Sequence, residues 1–163
     1  MLLITGATGQ LGTAVTQQLR QRNATNWAIF ARDANKARRY TDQGIGARMG
    51  DFDDTTTLSS AFSGVRKLLL ISSRSLDRSN QQKKVVDAAR IAGVEHIVYT
   101  GLAIQNIATS HIRALMTSHF DTEAHIRASG MRYTFLRNTM YADALPEIIG
   151  NGWREHGIAL PGG

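Results

Sequence analysis

The sequence predicts an α/β fold in which one doubly wound parallel sheet lies between two layers of helices. Three observations carry this expectation. Short apolar segments alternate with stretches whose apolar residues return at helical spacing, in the order βαβαβαβαβαβ. The first apolar segment, Leu2-Leu3-Ile4-Thr5, runs directly into the turn Gly6-Ala7-Thr8-Gly9-Gln10-Leu11-Gly12, as a strand feeding a helix would. Glycines 44, 93 and 130 stand just past helical stretches, where chain reversal needs them.

Each element has its own signal. Residues 2–5 read as the first strand and 10–22 as a helix, with Leu11, Val15 and Leu19 on one face. Trp27 to Ala31 is the second strand. Asp33 starts a short helix through Lys36, Arg39 and Tyr40, and Ile45 to Met49 is a weak third strand. Asp53 or Asp54 caps the helix carrying Leu58, Ala61 and Phe62. Lys67 to Ser72 is a strongly apolar fourth strand. A long helix over 77–92 turns Val85, Val86, Ala89 and Ala92 inward. His96 to Thr100, a helix over 115–128 and Arg132 to Leu136 complete the alternation. A helix over 144–149 precedes a tail broken by Gly150, Gly152, Gly157, Pro161, Gly162 and Gly163. Residues 1–143 thus form one domain, and 144–163 read as the start of an incomplete C-terminal region.

Composition narrows the function. A chain of 163 residues with 42% apolar residues suits one domain with a real core. Apolar runs are too short to span a membrane. The absence of cysteine removes disulfides, thiolate catalysis and cysteine metal sites, and a cytoplasmic location is the default expectation. The net charge of +6 comes from dispersed residues such as Arg20, Arg32, Lys36, Arg38 and Lys84, without an aromatic-interleaved basic run, which argues against nucleic acid. His111, His119 and His125 lack metal-ligand spacing, so no metal is expected. Ser72 and Ser73 lack the GxSxG setting of an esterase.

The glycine turn points to a dinucleotide. Gly6 allows the turn, Gly9 admits a pyrophosphate close to backbone, and Gly12 lets helix pack on strand, with Thr8, Gln10 and Leu11 in the same cradle. The second strand ends Phe30-Ala31-Arg32, with no carboxylate before the arginine. Arg32 can pair with a 2′-phosphate, so NADP is expected over NAD. Asp51, closing the third strand, can accept a base N–H. Ser72 and Ser73 end the fourth strand, where a nicotinamide ribose would lie. Thr100, Gly101, Asn138, Met140 and Tyr141, after the fifth and sixth strands, are candidates for the substrate pocket.

Four blocks carry a family resemblance: Ile4 to Gly12; Lys67 to Ser73; His119-x-x-Thr122-Glu123; and Tyr133-Thr134-x-Leu136-Arg137-Asn138. With them the chain resembles the NmrA-like members of the atypical short-chain dehydrogenases, on the branch of the bacterial type 2 NAD(P)H:quinone oxidoreductases. The resemblance implies a Rossmann-like fold, NADPH as cofactor and hydride transfer to a small-molecule quinone. The Tyr-x-x-x-Lys pair of short-chain dehydrogenases is replaced here by His119 and Glu123, so no residue is assigned as catalytic. A reduced quinone is a stabilised phenolate that water can protonate, which removes the need for a strong protein acid. The alternative is a non-catalytic NADP-binding redox sensor of the NmrA-like type, with a regulatory protein partner. Two departures stand out. Gly101 replaces the family's usual serine. Relatives also continue beyond this length, into a smaller domain that covers the substrate cleft, so the chain is expected to lack that cover, to self-associate and to turn over weakly.

Overall fold

The computed structural model describes residues 1–110, 113–139, 141–142, 146, 149–150, 155 and 157. Its elements follow the expected alternation: β1 (Leu2–Ile4), α1 (Gln10–Gln21), β2 (Trp27–Ala31), α2 (Ala34–Thr41), β3 (Gly46–Met49), α3 (Thr55–Ala61), β4 (Lys67–Leu70), α4 (Arg78–Ile91), β5 (His96–Leu102), α5 (Arg113–Ala128) and β6 (Arg132–Asn138). A short 3₁₀ turn, Ile107–Thr109, precedes α5. The helix expected over 144–149 and the glycine-rich tail lie largely outside the described residues.

The sheet has six strands in the order β3-β2-β1-β4-β5-β6, all parallel. The chain builds outward from β1 to β3, then crosses back to place β4 on the other side of β1. The strand direction of winding reverses there, and a ligand crevice opens at the carboxyl ends of β1 and β4.

Successive strand residues face opposite sides, and this divides the core. Leu3, Phe30, Leu68, Leu70, Ile97 and Tyr99 pack against Leu58 and Phe62, against Val85, Val86 and Ala89 of α4, and against Ile126 of α5. Ile4, Ile29 and Ala31 face the other way, against Ala37 and Tyr40 of α2 with Val15 and Leu19 of α1 alongside.

Local chemistry sets the element ends. Asp33 caps α2 by accepting the N–H of Asn35 at 2.8 Å and of Lys36 at 3.4 Å. Asp54 rather than Asp53 caps α3, accepting the Thr56 N–H at 2.9 Å. Asp53 instead takes the Gln81 amide at 2.9 Å and Lys84 at 3.7 Å. Strands β5 and β6 run two residues past their apolar segments, because Gly101 pairs with Arg137 and Leu102 with Asn138. In α1 the fully buried positions are Gly12 and Thr16, and Leu11, Val15 and Leu19 are half-buried. Gly12 explains this rotation: a Cβ there would lie 2.2 Å from the Gly6 carbonyl oxygen and 2.5 Å from Ala7 Cα. The helix sits on the turn by its glycine face.

Candidate functional site

A cavity of about 500 Å³ opens at the carboxyl ends of β1, β2, β3 and β4. Its floor is the glycine turn. Gly6 holds φ at +62°, a backbone conformation open to glycine at little cost, and Gly6 and Thr8 line the cavity. Gly9 is the N-cap of α1 and brings no side chain to the helix start, and no acidic residue follows in the first turn. The first helical bond is made by Thr13, whose N–H reaches the Gly9 carbonyl at 2.9 Å. The N–H groups of Gln10, Leu11 and Gly12 therefore keep the unsatisfied donor capacity of a helix N-terminus.

Arg32 and Asp51 form the far wall. The Arg32 side chain is 74% exposed, and its Nη1 stands 3.9 Å from Asp51 Oδ2. Asp51 is fixed by the turn: its N–H donates to Thr57 Oγ1 at 2.9 Å, and its Oδ1 accepts the Asp53 N–H at 3.1 Å. Phe30 and Phe52 also line the cavity and stack with ring centroids 5.3 Å apart. Gly50 lets the backbone cross Phe30, since a Cβ would come within 2.8 Å of Phe30 Cε2. Ser73, Arg74, Ser75 and Gln81 complete the wall, and Ser73 Oγ is buried with no hydrogen-bond partner. Free amides in the middle, an exposed guanidinium and stacked aromatics at one end, and a buried orphan hydroxyl at the other fit a dinucleotide's phosphates, base and ribose.

The structure thus brings together Gly6, Thr8, Arg32, Asp51 and Ser73, with Gly9, Gln10, Leu11 and Gly12 forming the helix start. Reading the sequence missed Phe30, Phe52, Arg74 and Gln81. The signal for Phe52 was its place directly after Gly50-Asp51; Gln81 is brought there by the helix α4 and left none.

Thr100, Gly101, Asn138 and Tyr141 are not among the residues that line this cavity. Thr100 is 4% exposed and ties the ends of β4 and β5: its Oγ1 accepts the Ser72 N–H at 2.8 Å and lies 3.4 Å from Ser72 Oγ. Asn138 Nδ2 donates to Tyr141 Oη at 2.7 Å. Met140 lies outside the described residues. At Gly101 a Cβ would come within 2.8 Å of Glu123 Oε1. A side chain at this position would therefore meet α5 and its carboxylate.

His119 and Glu123 are both turned into the protein. Glu123 is 1% exposed and accepts from Arg137 Nε at 3.2 Å, Arg137 Nη2 at 2.7 Å and Arg127 Nη2 at 3.3 Å. His119 is 8% exposed; Arg78 Nη1 lies 3.3 Å from its Nε2, and Tyr99 Oη 2.9 Å from its Nδ1. A guanidinium can only donate, so Nε2 accepts and Nδ1–H donates to the tyrosine. Burial, reinforced by Arg78, pushes the imidazole down to about 4, and burial pushes the Tyr99 phenol up. His119 is a neutral, internally bonded group.

A glycine-cradled helix start at the switch point of a parallel sheet ordered 3-2-1-4-5-6 defines a dinucleotide-binding α/β protein. Residues 6–152 match the family described as NAD(P)H-binding, and the chain belongs to that family. It is 41% identical to quinone oxidoreductase 2 of Escherichia coli over 98% of this chain and 55% of that protein. It is 31% identical to the NmrA-like family domain-containing oxidoreductase flvB of Aspergillus flavus, over 90% of this chain and 50% of that one. The crystal structure of the Citrobacter sp. triphenylmethane reductase complexed with NADP(H) superposes with a TM-score of 0.83 at 41% identity, covering 94% of this chain and 53% of that one. The chain spans about half the length of these relatives. Among the described residues, no helix is long and apolar enough to cross a membrane.

Proposed function

We propose that this chain forms the cofactor-binding half of an NADPH-dependent reductase that passes hydride to a quinone. The observation that carries the proposal is Arg32. It closes β2 beside the glycine turn, with no carboxylate before it, and lines the cavity. Its contact to Asp51 is exposed and long at 3.9 Å, and such pairs hold little energy, so the guanidinium can turn to a 2′-phosphate at small cost. The amides of Gln10, Leu11 and Gly12 would hold the diphosphate, Phe30 and Phe52 would flank the base, and Ser72 and Ser73 would meet the nicotinamide ribose.

The bound nicotinamide supplies the hydride. The protein's part is alignment of acceptor and donor, and no strong acid is required because a quinone that has taken hydride is a stabilised phenolate. The inward set of His119 and Glu123 supports this economy: the two positions that could carry acid–base chemistry are engaged in internal hydrogen bonds to Tyr99 and Arg137. The names of two relatives, a quinone oxidoreductase and a triphenylmethane reductase, describe reduction of conjugated acceptors, in line with this reading.

The test follows NADPH absorbance with small quinones and with simple ketones as acceptors. Quinone-dependent oxidation of NADPH with no ketone turnover is the expected result. Ketone turnover that depends on His119 would contradict the mechanism. Tight NADPH binding without turnover of any acceptor would favour a regulatory cofactor sensor instead.

A further inference from the structure

The peptide joining Ala7 to Thr8 lies between two clefts. Thr8 lines the large cavity, whereas Tyr40 and Arg39 line a separate cleft of about 220 Å³ between α1 and α2. The Ala7 carbonyl faces the second cleft. It accepts from Tyr40 Oη at 2.5 Å and from Arg39 Nη2 at 3.4 Å. The same Arg39 nitrogen donates to Thr13 Oγ1 at 3.0 Å, and Thr13 Oγ1 donates to the Gly9 carbonyl at 2.7 Å. Tyr40 is 4% exposed, its ring packed with Ile4, Ile29 and Ala37, so its hydroxyl is aimed by the core.

Among the described residues there is no cis peptide, and a trans peptide is planar, with C=O and the following N–H pointing to opposite sides. A carbonyl pinned toward α2 therefore turns the Thr8 N–H away from α2. We propose that Tyr40 and Arg39 are positioning residues for the diphosphate of the cofactor: by holding the Ala7 carbonyl from behind, they present the Thr8 N–H to the cavity before any ligand arrives. Neither side chain touches the ligand. Arg39 adds a fixed positive charge behind a helix start that already favours anions. Without the brace, the turn retains glycine's freedom at Gly6 and Gly9, and the amide must be ordered on binding. The inference rests on the nucleotide binding of the family and is independent of the quinone chemistry.

The experiment compares ADP, which carries the diphosphate, with adenosine, which does not, by NMR titration of the parent, Tyr40→Phe and Arg39→Gln. Tyr40→Phe keeps the buried ring and removes one donor; Arg39→Gln alters an exposed side chain and keeps the fold if Tyr40→Phe does not. ADP affinity is expected to fall about fivefold in either variant, the effect of one lost hydrogen bond, while adenosine is unchanged. The loss should grow in the double variant. Unchanged ADP affinity in the folded variants would overturn the brace. An equal loss for both ligands would also overturn it, because it would mark a general loosening of the fold. Failure of the parent to bind ADP would remove the cofactor site itself, a result distinct from failure of the brace.

Discussion

Gly9 and Gly12, which the sequence assigns separate roles in one turn, also differ in what a side chain would cost at each. At Gly12 a Cβ would meet backbone at 2.2 and 2.5 Å, and backbone cannot step aside as a side chain can. Gly12→Ala is expected to destabilise the fold by about 3 kcal/mol, measured by urea unfolding. At Gly9 a Cβ would meet only the Gly6 carbonyl oxygen, at 3.4 Å, and its φ of −85° suits any residue. Gly9→Val should keep the circular dichroism of the parent and lose NADPH binding by calorimetry, since the added side chain occupies the space offered to phosphate. Normal affinity in that variant would move the site. Arg32 is expected to behave differently from both. Arg32→Ala should weaken NADPH by about 10- to 100-fold, the worth of a charge-assisted bond, and leave NADH nearly unchanged. Equal affinities for the two cofactors in the parent, untouched by the substitution, would refute the assignment.

At the scale of elements, α5 is held to the sheet by polar contacts that sequence patterning does not report. The Glu123 carboxylate bridges α5 to β6 through Arg137, and Gly101 on β5 leaves room for it. Arg137 is half exposed, but Glu123 is buried. The two deletions are therefore unequal: Arg137→Ala leaves a buried carboxylate with Arg127 alone, at an expected cost of about 3 kcal/mol, whereas Glu123→Gln should cost less, seen in paired thermal melts. His119 makes the same interface sensitive to pH. Its folded value of about 4 lies below the ordinary 6.5, so between these values the unfolded chain binds the extra proton. Stability is full above pH 6.5 and falls as pH drops toward 4, by at most about 3 kcal/mol from this group. Unfolding of the parent and His119→Asn at pH 7 and pH 4.5 should show a smaller pH difference in the variant.

At the scale of the molecule, the described sheet ends at β6, whose outer edge pairs with no described strand. Tyr133 and Leu136, three positions apart and so on opposite faces of that strand, are each 44% exposed. An edge strand with apolar residues showing on both faces is a template for association. We expect the 163-residue chain to self-associate through this edge, and light scattering should show the association reduced in Leu136→Lys. A monodisperse monomer at high concentration would refute this.

The order of elements, the glycine turn and Arg32 at the end of β2 were legible in the sequence because local spacing encodes them: apolar periodicity fixes strand and helix, and φ above zero at Gly6 is a property of one residue. The choice of Asp54 over Asp53 as cap, the extension of β5 and β6 by paired residues and the burial of Gly12 and Thr16 in α1 were not legible, since each depends on what another segment brings alongside. The same division runs through the site. By itself the sequence determined that a strand, a glycine turn and a helix would follow one another, with an arginine at the end of the next strand. Only the tertiary structure decided that Phe30, Phe52 and Gln81 share its cavity, that Tyr40 and Arg39 hold the turn from behind, and that His119 and Glu123 face inward. The reason is range: a turn is specified by neighbours along the chain, whereas a cavity wall and a buried polar contact are specified by residues tens of positions apart that the folded sheet alone places within bonding distance.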